Sequence, residues 1–197
     1  MKLDRSFYTR DDVVLVARDL LGKCMFTRFA DGLTGGMITE TEAYAGINDR
    51  ASHAYNNRRT RRTEVMFGMG GHAYVYLCYG IHSLFNIVTN IEDVPHAVLI
   101  RGIKPVMGMK IMQQRVGKPL GNMAGVGPGR VSALLGIHFS HTGTDLLGDR
   151  IWLEDNGILV SDRDMKASPR VGVEYAGDDA MLPYRFTLNA DKLGLWE

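Results

Sequence analysis

The sequence predicts a single α+β domain, and three observations predict it. Apolar residues recur at helical spacing in a few short stretches only. Most other apolar runs are short and rich in β-branched and aromatic residues, and the turns between them suit antiparallel neighbours. At 197 residues the chain is long enough to bury a core without staples, and no linker, repeat or low-complexity tract divides it, so residues 1–197 are read as one domain. With 45% hydrophobic and 23% charged residues it falls outside disordered, collagen-like and membrane classes. A formal charge of +1 announces no nucleic-acid partner, so that case must rest on where the positive charge sits. Cys24 and Cys78 are too few for a disulfide framework, and no signal-like or membrane-length apolar run is present. A cytoplasmic protein with no membrane association is expected.

Taken in order, Thr9 is a candidate helix N-cap, and Val13, Val14, Ala17, Leu20 and Leu21 recur at helical spacing until Gly22. Lys23 to Phe29 is a short strand, with a turn at Asp31-Gly32. Met37 to Tyr44 alternates, so extended geometry places Ile38, Glu40, Glu42 and Tyr44 on one face. Two carboxylates then lie about 7 Å apart, close enough to raise each other's pKa unless a cation intervenes. A solvated strand face would show the same pattern.

Ala45 to Asn57 has no period and carries His53 in a loop. Arg58, Arg59, Arg61 and Arg62 then place four arginines in five residues, the densest positive charge in the chain and a pattern suited to phosphate oxygens. Phe67 to Gly71 is a glycine-rich turn that lacks the lysine of a phosphate-binding loop. His72 to Cys78 and Leu84 to Thr89 form a protruding β-hairpin with Tyr79 and Ile81 near its tip. Large side chains at a turn have no packing rationale, whereas a wedge aimed at a base stack gives them one. Tyr74 and Tyr76 share a strand face, and Asn86 is a polar residue among Phe85, Ile87 and Val88 that needs partners from backbone or ligand.

Ala97 to Ile100 is a core strand ending in Arg101, a cation expected to pair with a carboxylate. Lys104-Pro105 is expected to open a helix with Met107, Ile111 and Met112 facing the core. Gly125 to Gly129 leads through Arg130 into a helix whose N-terminal amides could hold a DNA phosphate. His138, His141 and Asp145 match no metal-ligand motif, and neither metal nor cofactor is expected. Ile151 to Leu153 and Ile158 to Val160 flank Asp155-Asn156-Gly157 as a candidate hairpin. Ser168 to Val173 adds a turn in which Arg170 is expected to face DNA, before a last strand around Tyr184 to Leu188.

These residues carry a resemblance to the alkyladenine (3-methyladenine) DNA glycosylase family over most of the chain, from Phe7-Tyr8 to Arg185-Phe186. Its most specific parts are Glu40-Thr41-Glu42-Ala43-Tyr44 with His53 eleven residues after Glu42, and Tyr76-x-x-Tyr79-Gly80 leading to Asn86. The resemblance implies a curved, largely antiparallel sheet with peripheral helices. It also implies that Glu42 activates water for attack on the sugar C1′, and that Arg101 steadies the reaction site. Tyr44 and His53 would form one wall of the base pocket and Tyr76 the other. Tyr79 would fill the gap in the duplex, and Asn86 would crowd the amino group of guanine. Ile81, His82 and Ser83 depart from the mammalian pattern, so the reaction class is implied but not the lesion preference.

The chemistry agrees with that assignment. A base inside a duplex must be swung out, and aromatic stacking with a plug offsets the few kcal/mol of unstacking. A carboxylate stabilises the sugar cation and takes a proton from water. No lysine is placed for a Schiff base, which favours a monofunctional hydrolase. Arg101 is expected to keep Glu42 ionised at neutral pH against the push of Glu40. Double-stranded DNA containing damaged purines is the expected partner, and a monomer the expected state. A non-catalytic damage-binding module and a small-molecule nucleosidase are the rival readings.

Overall fold

The structure, a computed structural model, describes residues 1–121 and 124–189. Four helices, α1 (Arg5–Tyr8), α2 (Val13–Asp19), α3 (Met109–Val116) and α4 (Pro128–Leu135), surround a curled sheet. Its strands are β1 (Cys24–Phe29), β2 (Gly32–Tyr44), β3 (Ala73–Cys78), β4 (His82–Thr89), β5 (His96–Met107), β6 (Ile151–Glu154), β7 (Met165–Ser168) and β8 (Arg185–Leu188). They run in the order β3-β4-β5-β2-β1-β6, with β8 also on β2 and β7 on β8, and all these pairings are antiparallel. The expected α+β domain is what is found.

β2 is the strand on which the site depends. Its first half pairs with β1 and its second with β8, so the sheet divides at its centre, while β5 runs along the other side. Register shifts against β5 fall between Ile38 and Glu40 and between Glu40 and Thr41. Such a bulge moves the alternation by one residue. Ile38 therefore packs in the core with Met37 and Ala43, contrary to the uninterrupted alternation expected of it, while Glu40 and Glu42 share the opposite face. Gly102 makes room for this, since a Cβ there would lie 2.9 Å from the Glu40 Cβ. The Thr41 hydroxyl fixes the core face by donating to the Ala17 carbonyl of α2 at 2.8 Å.

Other departures from expectation have equally local causes. Asp12, not Thr9, caps α2, because its carboxylate accepts from the amides of both Val14 and Leu15; Thr9 ends α1 instead. The strand thought to stop at Arg101 continues to Met107, and α3 begins after Gly108, whose φ is +72°. Pro105 opens no helix; it lies opposite Gly36 beside a register shift, a place where a strand tolerates a missing donor. Met107 is consequently exposed, while Met112 is buried as expected. Ile158 to Val160 form no strand. The outer side of β6 is already taken by the N-terminus, with Lys2 bridging Glu154 and the Leu3 amide donating to the Leu153 carbonyl.

The main core lies between the sheet and helices α2 and α4, around Val16, Leu20, Ile38, Phe85, Ile100 and Leu134. A second cluster of Ala54, Met66, Phe67, Tyr74, Val88 and Ala97 backs the cavity described next. Among the described residues no helix is long and apolar enough to cross a membrane.

Candidate active site

A cavity of about 320 Å³ opens between the β3–β4 hairpin, the loop around His53 and the segment around Val171, with Arg101 of β5 among its lining residues. Glu42 stands behind this lining with no solvent exposure. Its Oε1 accepts the Val171 amide at 2.8 Å and lies 3.3 Å from Arg101 Nε, while Oε2 accepts the Tyr44 hydroxyl at 2.9 Å. All three of these partners line the cavity. A carboxylate offers about four acceptor positions, so these three contacts leave one for a further donor such as water.

Burial is the largest influence on Glu42 and raises its pKa above the ordinary carboxylate value; Arg101, the Val171 amide and the Tyr44 hydroxyl oppose it, and Glu40 adds a smaller upward push. The expectation that Arg101 and Glu40 alone set the balance therefore omitted the main cause. Glu40 is itself compensated, accepting from Arg101 Nε at 3.1 Å and from Arg185 Nε at 2.6 Å.

The aromatic walls are grouped differently from expectation. His53 lies edge-on to Tyr76, with ring centroids 4.7 Å apart at 76°, and its Nδ1 is 2.8 Å from the Tyr74 hydroxyl. It belongs to the Tyr76 side of the cavity and not beside Tyr44. Burial and then the Arg62 and Arg58 charges push His53 down to about 4, so it is neutral at physiological pH. The Arg62 guanidinium, which can only donate, lies 3.2 Å from Nε2 and 3.5 Å from Nδ1 of this neutral ring. Asn86 is buried in the lining and donates to the Tyr74 carbonyl at 3.1 Å, so backbone meets part of its hydrogen-bonding need.

At the hairpin tip the Ile81 amide donates to the Cys78 carbonyl, and both central residues of that turn, Tyr79 (φ 51°) and Gly80 (φ 72°), are left-handed. An aromatic residue rarely adopts that region. Tyr79 is nevertheless 92% exposed and Ile81 72%, so packing does not explain either.

The expected backbone-contacting arginines divide into groups. Arg58 and Arg61 are exposed and form no ion pair among the described residues. Arg59 is held by Glu64 and Asp93, each at 2.7 Å, and Arg62 lies over the Tyr76 ring. Arg130 is half-buried and donates to the Ala124 carbonyl. Arg170 is a correction: it is buried in a pair with Asp49, between the rings of Tyr44 and Tyr184, and cannot face DNA. The cause is position, since Ser168 ends β7 and Arg170 turns back beneath the loop that Asp49 organises. His138 and His141 cap the 3₁₀ turn at Phe139–His141, and Asp145 pairs with Arg5. Among the described residues no cluster of three or more His, Cys, Asp or Glu is placed to hold a metal.

Sequence reasoning missed the Val171 amide, Tyr74, Tyr175 and Arg185 as parts of this neighbourhood. The shared strand face of Tyr74 and Tyr76 was a usable signal for Tyr74. A backbone amide carries no residue-type signal at all.

An aromatic cavity backed by a buried carboxylate–arginine pair, below a hairpin that presents an exposed aromatic, defines a nucleobase-handling enzyme class. Comparison with known proteins narrows this. The model for methylpurine-DNA glycosylase matches residues 6–192. A Chlamydia felis protein is 42% identical over 193 residues (96% of this chain, 97% of its own length). Proteins of Clostridium acetobutylicum and Bdellovibrio bacteriovorus are each 38% identical, covering 98% and 95% of this chain and 96% and 95% of their own lengths. All three are named as 3-methyladenine DNA glycosylases. The chain belongs to the methylpurine-DNA glycosylase family, DNA-repair hydrolases acting on N-glycosyl bonds.

Proposed function

We propose that this chain removes alkylated or deaminated purines, 3-methyladenine among them, from double-stranded DNA by a monofunctional, Glu42-dependent hydrolysis that begins base excision repair. The observation that carries the reading is the placement of Glu42: a buried carboxylate with one acceptor position to spare, held by three residues that also line a cavity of about 320 Å³. That volume is at the lower end of ligand pockets, which run from about 300 Å³ upward, and suits a single base.

In this reading Tyr79 enters the duplex as the purine leaves it, and the purine is received between Tyr44 on one side and Tyr76 with His53 on the other. The sugar C1′ then comes beside Arg101 and Glu42. The bond from C1′ to the base nitrogen breaks with its electron pair going to the base, while a water oxygen bonds to C1′ and gives its proton to Glu42. An alkylated base that carries a positive charge leaves neutral and needs no added proton. The acceptor position left over by Val171, Tyr44 and Arg101 is the one that takes this water. Arg58 and Arg61, exposed and without a carboxylate partner among the described residues, are the strongest candidates for the DNA backbone.

The test is incubation of the wild-type chain with duplexes holding one 3-methyladenine, hypoxanthine or 1,N6-ethenoadenine. Free base and an abasic strand are expected from at least one of them. Tight lesion binding with no base released from any would favour a damage-binding module. Salt-insensitive activity on free nucleosides would favour a nucleosidase.

A further inference from the structure

We infer that Glu40 and Arg185 are positioning residues that hold the Arg101 guanidinium beside the Glu42 carboxylate without letting it close fully onto it. The inference rests on the reading of Glu42 as the base, and it concerns a chain of four alternating charges. Arg101 Nε and Arg185 Nε both donate to one atom, Glu40 Oε1, at 3.1 and 2.6 Å. The same Arg101 Nε lies 3.3 Å from Glu42 Oε1. The Nε–H is thus given to Glu40, the carboxylate that does no chemistry, and Glu42 is held by the same guanidinium as an ion pair only.

The backbone is arranged for this. β2 lies between β5 and β8, with Glu40 opposite Gly102 on one side and Glu42 opposite Arg185 on the other. Glu40 and Glu42 share a face by strand alternation, the bulge at Thr39 sends Ile38 to the core instead, and the missing Cβ of Gly102 accommodates Glu40. Glu40 has a side-chain exposure of only 9%, and a carboxylate kept that far from water costs stability unless it is paired. Were Glu40 only a partner for Arg185, Arg101 would be free to pair with Glu42 alone. Its Nε–H instead goes to Glu40, with Glu42 an ion-pair neighbour at 3.3 Å.

The consequence has a sign. The groups facing Glu42 are Arg101 from β5, the Val171 amide and the Arg170 guanidinium from the segment after β7, Glu40 and Tyr44 from its own strand, and Arg185 from β8 through Glu40. Glu40→Gln removes the competing carboxylate and lets Arg101 close onto Glu42, which favours ionised Glu42. Arg185→Gln leaves Glu40 with Arg101 as its remaining cation and draws that cation away, which disfavours it. Loss of packing alone would not move one group in two directions.

The direct measurement is a carboxyl-carbon NMR titration of Glu42 in the DNA-free chain, which reads the group whether or not it is catalytic. The midpoint is expected to fall by about one pH unit in Glu40→Gln and to rise by about one in Arg185→Gln, with Arg185→Lys close to wild type. Movement of both in the same direction, or of neither, overturns the inference. Should Arg185→Gln fail to fold, an unmoved midpoint in Glu40→Gln alone overturns it. Excision of 3-methyladenine against pH supplies the second readout, in which the acid limb follows the same two shifts. If the NMR midpoints move as expected while excision stays indifferent to position 42, the positioning chain stands and the reading of Glu42 as the base fails.

Discussion

Arg170 donates to both carboxylate oxygens of Asp49, 121 residues away, and their side chains are 0% and 2% exposed. The same Asp49 accepts the amides of Ala45 and Ala51, and Arg170 also donates to the carbonyls of Ala43 and Asp179. The pair ties the strand bearing Glu42 and Tyr44 to the loop bearing His53 and to the segment bearing Val171. Asp49→Asn leaves a buried guanidinium without its counter-charge and should cost about 3–5 kcal/mol, read by urea unfolding. A loss within experimental error of zero would show the pair to be dispensable.

Arg58 and Arg61 should dominate the salt dependence of DNA binding. Each phosphate contact contributes about −0.9 to the slope of log affinity against log salt. Alanine at either position should flatten that slope by about one contact, whereas Arg59→Ala, whose charge is already held by Glu64 and Asp93, should change it less. Fluorescence anisotropy at several salt concentrations measures this. An Arg59 variant with the larger effect would reverse the assignment.

His53 should titrate near pH 4 in the folded chain. Its pKa is depressed from the ordinary 6.5, so the stability it contributes is complete above that value and is lost as pH falls from 6.5 towards 4. Arg62→Ala removes the nearer of the two cations that hold it down and should raise the midpoint. Imidazole proton NMR reads both. A midpoint at or above 6.5 would mean that the ring is not enclosed with Tyr74 and Tyr76.

Replacement of Tyr79 should separate stability from function. Tyr79→Gly relieves a left-handed aromatic residue and should leave the fold as stable or up to about 1 kcal/mol more so. Lesion-duplex affinity should fall, because the exposed wedge is gone. Unchanged affinity would remove Tyr79 from the DNA interface.

Much of this was legible in the sequence, and what was not shares a cause. Glu42, Tyr44, His53, Tyr76, Tyr79, Asn86 and Arg101 are the residues the family resemblance implies, and the structure places all but Glu42 in the cavity lining, with Glu42 directly behind it. The hairpin and the helix from Val13 are local features, written in turn residues and apolar period. What escaped depends on distant partners. The bulge at Thr39 falls where β2 passes from β1 to β8 on one side while still pairing with β5 on the other, which the local sequence does not show. Arg170 has the residue type of a solvent-facing arginine, and only Asp49 across the fold makes it an interior one. Ile158 to Val160 have the composition of a strand, but Lys2 and Leu3 occupy the edge on which it would pair.

The most direct test of the central claim is single-turnover excision of 3-methyladenine by Glu42→Gln, measured beside its affinity for the same duplex. The amide preserves the shape of the side chain but is a poor base, so binding should persist while release of free base falls at least about a hundredfold. A variant that binds and excises like wild type would contradict the assignment of Glu42 and of the hydrolysis built upon it.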